Sequence, residues 1–170
     1  MNMMKSLTKI IPVITVAIVL SVSASAQTLT SVNGGSVDLQ GQKGQVVILA
    51  IGASWVPLSA DQVVITTKLQ RKYAGKNVVV YFIATDSTNP KSRNYATDAQ
   101  LKAFGTKNKL TAEILRDGDG AATLKRYAVD QLPSFVILDK NGAKSGETFS
   151  GIDQESDLSI AIGKAVDRLL

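Results

Sequence analysis

The sequence predicts an α/β fold: a central mixed sheet flanked by helices and preceded by an N-terminal hairpin. Three observations carry that prediction. Residues 45–51 and 77–84 are continuous apolar runs rich in β-branched side chains, the pattern of strands buried on both faces. Between them, from Pro57 to about Lys72, Asp61, Ile65, Leu69 and Tyr73 recur at a helical period, so strand, helix and strand make a βαβ unit with parallel strands. Finally, Ser134 to Leu138 runs into Asp139-Lys140-Asn141-Gly142, a hairpin turn that sends residues 144–150 back antiparallel.

The remaining elements follow in order. Residues 29–40 hold Asn33-Gly34-Gly35 between two short β-prone stretches and read as a hairpin around a glycine turn. Pro57 suits the first turn of the helix that follows the first core strand. Residues 86–95, with Asn89-Pro90, read as a loop. Thr97-Asp98-Ala99-Gln100 is a capping box opening a helix through Lys107 that buries Leu101 and Phe104. Residues 110–115 are expected to form a short edge strand, and Asp119 to cap a short helix over residues 121–127. Asp153 is expected to cap a final helix whose apolar stripe is Leu158, Ile162, Ala165, Val166 and Leu169.

Residues 1–26 have the layout of a secretory signal peptide. Lys5 and Lys9 precede an apolar run over residues 10–22, and Ala24-Ser25-Ala26 supplies small residues for cleavage before Gln27. The rival reading is an uncleaved anchor, but the run is shorter than the roughly 20 residues a spanning helix needs. Removing 26 of 170 residues leaves 144, one ordinary domain at 27–170, and takes the formal charge from +5 to +3. No stable membrane insertion is expected after cleavage, and the expected location is periplasmic or secreted.

Composition excludes several chemistries. The chain has no Cys and no His, so disulfides, thiolate nucleophiles and Cys or His metal sites are absent. Asp117-Gly118-Asp119-Gly120 lacks the further acids of a calcium loop and reads as a turn with a helix cap, so no metal and no other cofactor is expected. Lys68, Arg71, Lys72 and Lys76 fall at a helix C-terminus, where cations suit the dipole, and no basic-aromatic interleaving points to nucleic acid.

Four stretches carry a family resemblance: Lys43-Gly44-Gln45-Val46-Val47-Ile48-Leu49, Ala53-Ser54-Trp55-Val56-Pro57-Leu58-Ser59, Tyr127-Ala128-Val129-Asp130-Gln131-Leu132-Pro133-Ser134-Phe135, and Leu138-Asp139-Lys140-Asn141-Gly142. In this order the chain resembles the thioredoxin fold, and within it the exported TlpA-like thiol-disulfide oxidoreductases. The resemblance places Val56 at the nucleophilic cysteine and Ser59 at the resolving one, and it implies a cis bond before Pro133. It also places Gln62 and Val64 where many relatives carry Glu and Pro. Disulfide exchange needs a thiolate and a second thiol, so the degenerate positions Val56 and Ser59 leave no catalytic residue of that kind.

The expected function is therefore a redox-inactive, exported module that binds a peptide or an envelope protein between Trp55, Val56, Pro57, Leu58 and Ser59 on one side and Leu132-Pro133 on the other. Trp55 reads equally as a partner anchor or as a surface residue inherited from the family. Two alternatives stand beside this reading: a member of the thioredoxin and peroxiredoxin superfamily with a residual or non-cysteine activity, and a structural subunit of an envelope complex.

Overall fold

β1 (Thr28–Ser31) and β2 (Ser36–Asp38) form the N-terminal hairpin. Its turn is closed by Gly34 and Gly35 at φ 96° and 81°, a conformation that glycine adopts without steric cost. The computed structural model describes residues 27–153 and 156–170; the expected signal peptide lies outside them. β3 (Val46–Gly52), α1 (Ser59–Lys72), β4 (Val78–Ala84), α2 (Asp98–Lys107), β5 (Glu113–Arg116), β6 (Ser134–Leu138), β7 (Phe149–Ser150) and α3 (Leu158–Asp167) follow. The strands make one mixed sheet in the order β2-β1-β5-β4-β3-β6-β7.

β3 pairs parallel with β4, and β4 with β5, while β6 runs antiparallel to β3. All seven residues of β3 are buried, as expected of a strand with cover on both faces. Alternate residues feed two cores. Val46, Ile48 and Ala50 join Phe82, Leu69, Leu101, Ile162 and Val166 on the face that carries all three helices. Val47, Leu49 and Ile51 join Tyr81, Ile83, Leu115 and Val136 on the other, which is covered by Leu29, Leu39, Tyr127 and Val129. Two crossovers of one hand, stepping in the same direction from β3 to β4 to β5, put α1 and α2 on one face.

The α2 capping box forms as expected, with Gln100 N donating to Thr97 Oγ1 at 3.2 Å and Thr97 N to Gln100 Oε1 at 2.8 Å. α3 docks on α1 through Tyr73, whose hydroxyl lies 2.9 Å from Gly163 O and 2.7 Å from Asp167 Oδ1.

Five expectations are corrected. β5 is an interior strand and not an edge, because the N-terminal hairpin adds outside it through Thr30 opposite Arg116. Residues 121–127 form turns and not a helix: after one 3-10 turn at Gly118–Gly120, Asp119 and Ala128 take φ of 57° and 51°, which breaks helical progress. The cap there is Asp117, not Asp119; its carboxylate accepts from Ala122 N at 2.9 Å and Thr123 N at 2.8 Å. Asp157, not Asp153, caps α3 by accepting from Ser159 N at 3.1 Å. Pro57 also sits just ahead of α1 and not in its first turn, which starts at Ser59.

Burial pushes the phenols of Tyr81 and Tyr127 above their ordinary value of 10.0. A folded-state pKa raised in this way contributes stability that is present below the ordinary value and lost as pH rises through the folded one. Lys72 has the same sign, raised by its hydrogen bond to Asp167. Urea midpoints are therefore expected to hold across neutral pH and to fall above pH 10.0. A midpoint that stays level there would show these phenols to be no more buried in the folded chain than in the unfolded one.

Candidate functional site

The carboxyl ends of β3, β4 and β5 meet at one edge of the sheet, the position where open α/β sheets place their sites. The β3–β6 register sets Ile51 opposite Ser134, so Gly52 and Pro133 stand side by side at that edge. The Trp55 loop leaves from Gly52, and Leu132-Pro133 arrives beside it. The two segments that the sequence singled out are thereby brought together, across a separation of more than seventy residues.

The loop is fixed from below. Asp86, fully buried just past the end of β4, accepts from Ser54 N at 3.0 and 3.2 Å through its two carboxylate oxygens, and from the Ser54 hydroxyl in a short bond. A buried carboxylate is tolerable when donors meet it, and here the Ser54 N–H and hydroxyl together make three hydrogen bonds to it. Thr85 adds two bonds to Gly52 O, from N at 2.8 Å and Oγ1 at 3.0 Å. Within the loop, Val56 N donates to Ala53 O at 3.1 Å and Ser59 N to Val56 O at 3.0 Å, so residues 53–59 wind into α1 as successive turns.

On this frame the candidate residues divide. Trp55 is 51% exposed and Leu58 39%, Pro57 is exposed, and Val56 is half-buried. Leu132 is half-buried against the second core, Pro133 is buried, and the bond between them is cis. Ser59 belongs to the interior: fully buried, it accepts from Ala53 N at 3.3 Å and presents nothing to solvent. The open part of the site is thus Trp55, Val56, Pro57, Leu58 and Leu132, with Ser59 and Pro133 as its floor.

Gln62 lies under that floor. Fully buried in α1, its Nε2 donates to Ile51 O at 3.1 Å and Ser134 O at 2.8 Å, tying β3 to β6 behind Pro133. Its Oε1 has no hydrogen-bond partner. Gly52 makes room for this amide, since a Cβ there would sit 2.3 Å from Gln62 Oε1 and 3.0 Å from Ser59 Oγ. The side chain that flanks Gly52 together with Ser59 is therefore a neutral carboxamide that cannot take a proton, so Gln62 supplies no base to make the Ser59 hydroxyl a nucleophile.

The sequence reading missed the clamp of Asp86 and the stitch of Gln62. An aspartate two residues past a continuous apolar strand was the available signal for the first. Gln62 was noticed only as a departure from a family pattern. Among the described residues no group of three or more His, Cys, Asp or Glu could hold a metal ion, and the Asp117 carboxylate is taken by Thr123 Oγ1 at 2.5 Å besides its two backbone donors.

Comparison with known proteins bears on the family and the fold. The chain is 31% identical over 115 residues to the thioredoxin-like protein YneN of Bacillus subtilis (strain 168), a match that takes in 68% of this chain and 62% of that protein. The chain therefore spans less than two thirds of that relative's length. Among solved structures, the exposed lipoprotein thioredoxin of Streptococcus pneumoniae strain TIGR4 superposes with a TM-score of 0.67 at 24% identity, over 85% of this chain and 100% of that one. A secreted disulfide oxidoreductase of Mycobacterium tuberculosis superposes at 0.63 with 21% identity, over 85% and 96%. At these identities the structures establish a thioredoxin-like fold. The redoxin family model matches residues 11–162, and the chain, without a cysteine, belongs to the redoxin family.

Proposed function

We propose that the chain is an exported, thiol-inactive redoxin domain that binds an extended peptide or protein segment at the face formed by Trp55, Val56, Pro57, Leu58 and Leu132-Pro133. The supporting observation is the pairing of two exposed apolar side chains, Trp55 and Leu58, with a loop clamped by a buried carboxylate. A rigid loop that presents a tryptophan loses little conformational entropy when a partner covers it. Strand-like pairing beside a sheet edge needs no thiol.

Trp55→Ala is the deciding substitution. An exposed tryptophan outside both cores is expected to leave the denaturant midpoint within about 0.5 kcal/mol of wild type. Truncating a central interface aromatic is expected to weaken binding by at least about 2 kcal/mol. The partner is sought by cross-linking in the exported fraction, and its affinity is then measured for both proteins. Equal affinities would remove Trp55 from the interface, and early melting of the variant would make it a structural residue.

Export and cleavage before Gln27 belong to the same proposal. Ala24-Ser25-Ala26 after an apolar run supports them, as do the exposed and secreted proteins among the structural neighbours. Among the described residues no helix is long and apolar enough to cross a membrane. Mass spectrometry of the fractionated protein is the measurement, and a retained Met1 in the membrane fraction would mean an anchor.

A further inference from the structure

β1 runs antiparallel to β5, with Thr30 opposite Arg116, so the residue ahead of it, Gln27, lies at the same sheet edge as the candidate site. Gln27 is buried, at 6% exposure. Its backbone carbonyl accepts from Leu39 N at 2.9 Å, and its side-chain Oε1 accepts from the Tyr127 hydroxyl at 2.7 Å. Its Nε2 is buried with no hydrogen-bond partner. Turning the amide end for end would only exchange which atom is stranded. Buried polar atoms without partners are rare enough that each one calls for a physical reason.

We propose that Gln27, once cleavage makes it the first residue, closes to a pyroglutamyl ring, and that β1 docks in this cyclised form. The proposal rests on the processing reading given above. In the reaction the α-amino nitrogen attacks Cδ; the N–Cδ bond forms, the Cδ–Nε2 bond breaks, and Nε2 leaves as ammonia with one proton from the attacking amine. No oxidant or co-reactant is needed. The reaction discards the one side-chain atom that the fold leaves without a partner and keeps the carbonyl oxygen that Tyr127 uses. It also converts the terminal ammonium, otherwise a charge at a nearly buried residue, into a neutral amide.

The ring would seat against a segment that is itself held in place. Tyr127 O accepts from Lys144 Nζ at 2.5 Å, and the chain continues from Tyr127 to Leu132-Pro133. The blocked terminus is thus part of the support behind the candidate site.

The test is the intact mass and amine reactivity of the protein expressed with its full leader and recovered promptly from the exported fraction. The expected result is a chain that starts at residue 27, lighter than its sequence by one ammonia, with no α-amine to label. Gln27→Glu, whose carboxylate is a far poorer electrophile, should be processed at the same place and keep both its full mass and a labelled amine. A wild-type chain starting at Gln27 with full mass and a reactive amine overturns the cyclisation while leaving the processing intact. A chain starting elsewhere overturns the processing, and the cyclisation with it.

Discussion

Val56→Cys combined with Ser59→Cys is expected to turn an inert loop into a working dithiol, whereas the wild type reduces insulin disulfides no faster than buffer. Residues 56 and 59 belong to one turn, closed by Ser59 N to Val56 O at 3.0 Å. Residues three apart on a helical turn bring their Cβ atoms within about 5–6 Å, close enough for the small adjustment that a disulfide requires. Residue 56 is half-buried just ahead of α1, whose free N-terminal N–H groups favour a thiolate there. Lowering a thiol pKa from about 8.5 towards 7 raises the reactive fraction at neutral pH on the order of tenfold. Residue 59 is fully buried, which suits a resolving thiol that attacks only from within the loop. Gln62 cannot accept the proton that a resolving thiol must lose, so the double variant should remain slower than a redoxin with an acid at that position. Each single variant should form no intraloop disulfide and stay at the buffer rate. Turnover by the cysteine-free wild type, or a double variant whose mass shows no loss of two hydrogens on oxidation, would contradict this reading of the loop.

The parts of the fold that could be read from the chain are those decided by local pattern. β3 and β4 are continuous apolar runs because both faces of the sheet are covered, and that pattern needs no knowledge of the partner strand. The capping box at Thr97 is likewise a matter of four consecutive residues. What could not be read depends on distant pairing or on competition between equivalent local choices. That β5 is interior follows only from the hairpin some eighty residues earlier laying Thr30 against Arg116. At residues 121–127 the alanines favour a helix, yet positive φ at Asp119, Gly120 and Ala128 turns the chain repeatedly. Asp153 and Asp157 are equally good caps by type, and the position of the α3 start selects the second. At the site, the resemblance placed Trp55 and Pro133 beside each other, but burial separates Ser59 from its neighbours. The Asp86 clamp on Ser54 joins residues 32 apart, so an aspartate past the end of a strand can be noticed in the sequence but its partner cannot.

Gln62→Glu is expected to leave a protein about 1–3 kcal/mol less stable than wild type in mild acid and progressively weaker as pH rises. The two side chains have the same shape, so packing is preserved and only the hydrogen bonding changes. Gln62 donates both of its N–H groups to carbonyl oxygens, of Ile51 and Ser134. A protonated glutamic acid can donate to one of them, and leaving the other buried carbonyl short of its partner costs about 1–3 kcal/mol. An ionised glutamate donates to neither and adds a desolvated charge facing two carbonyl oxygens. Both effects raise the pKa of the folded state above the value of about 4.3 in the unfolded chain. A raised folded-state pKa means that stability is complete below about 4.3 and falls as pH rises towards the folded value, by about 1.4 kcal/mol for each unit of that interval. If the acid stays protonated to neutral pH, the accumulated loss is about 4 kcal/mol, a large share of the roughly 5–15 kcal/mol that holds a domain together. Gln62→Leu separates the two causes, since it strands both carbonyls but carries no titrating group, so its deficit should be the same at every pH. Urea midpoints of the three proteins from mild acid to neutral pH make the comparison. A glutamate variant whose midpoints run parallel to wild type would mean that the carboxylate finds a donor, with the Ser59 hydroxyl the nearest candidate across Gly52. The floor of the site would then tolerate an ionised carboxylate able to take a proton from residue 59, and the inertness of the wild-type loop would lie in its missing thiols alone.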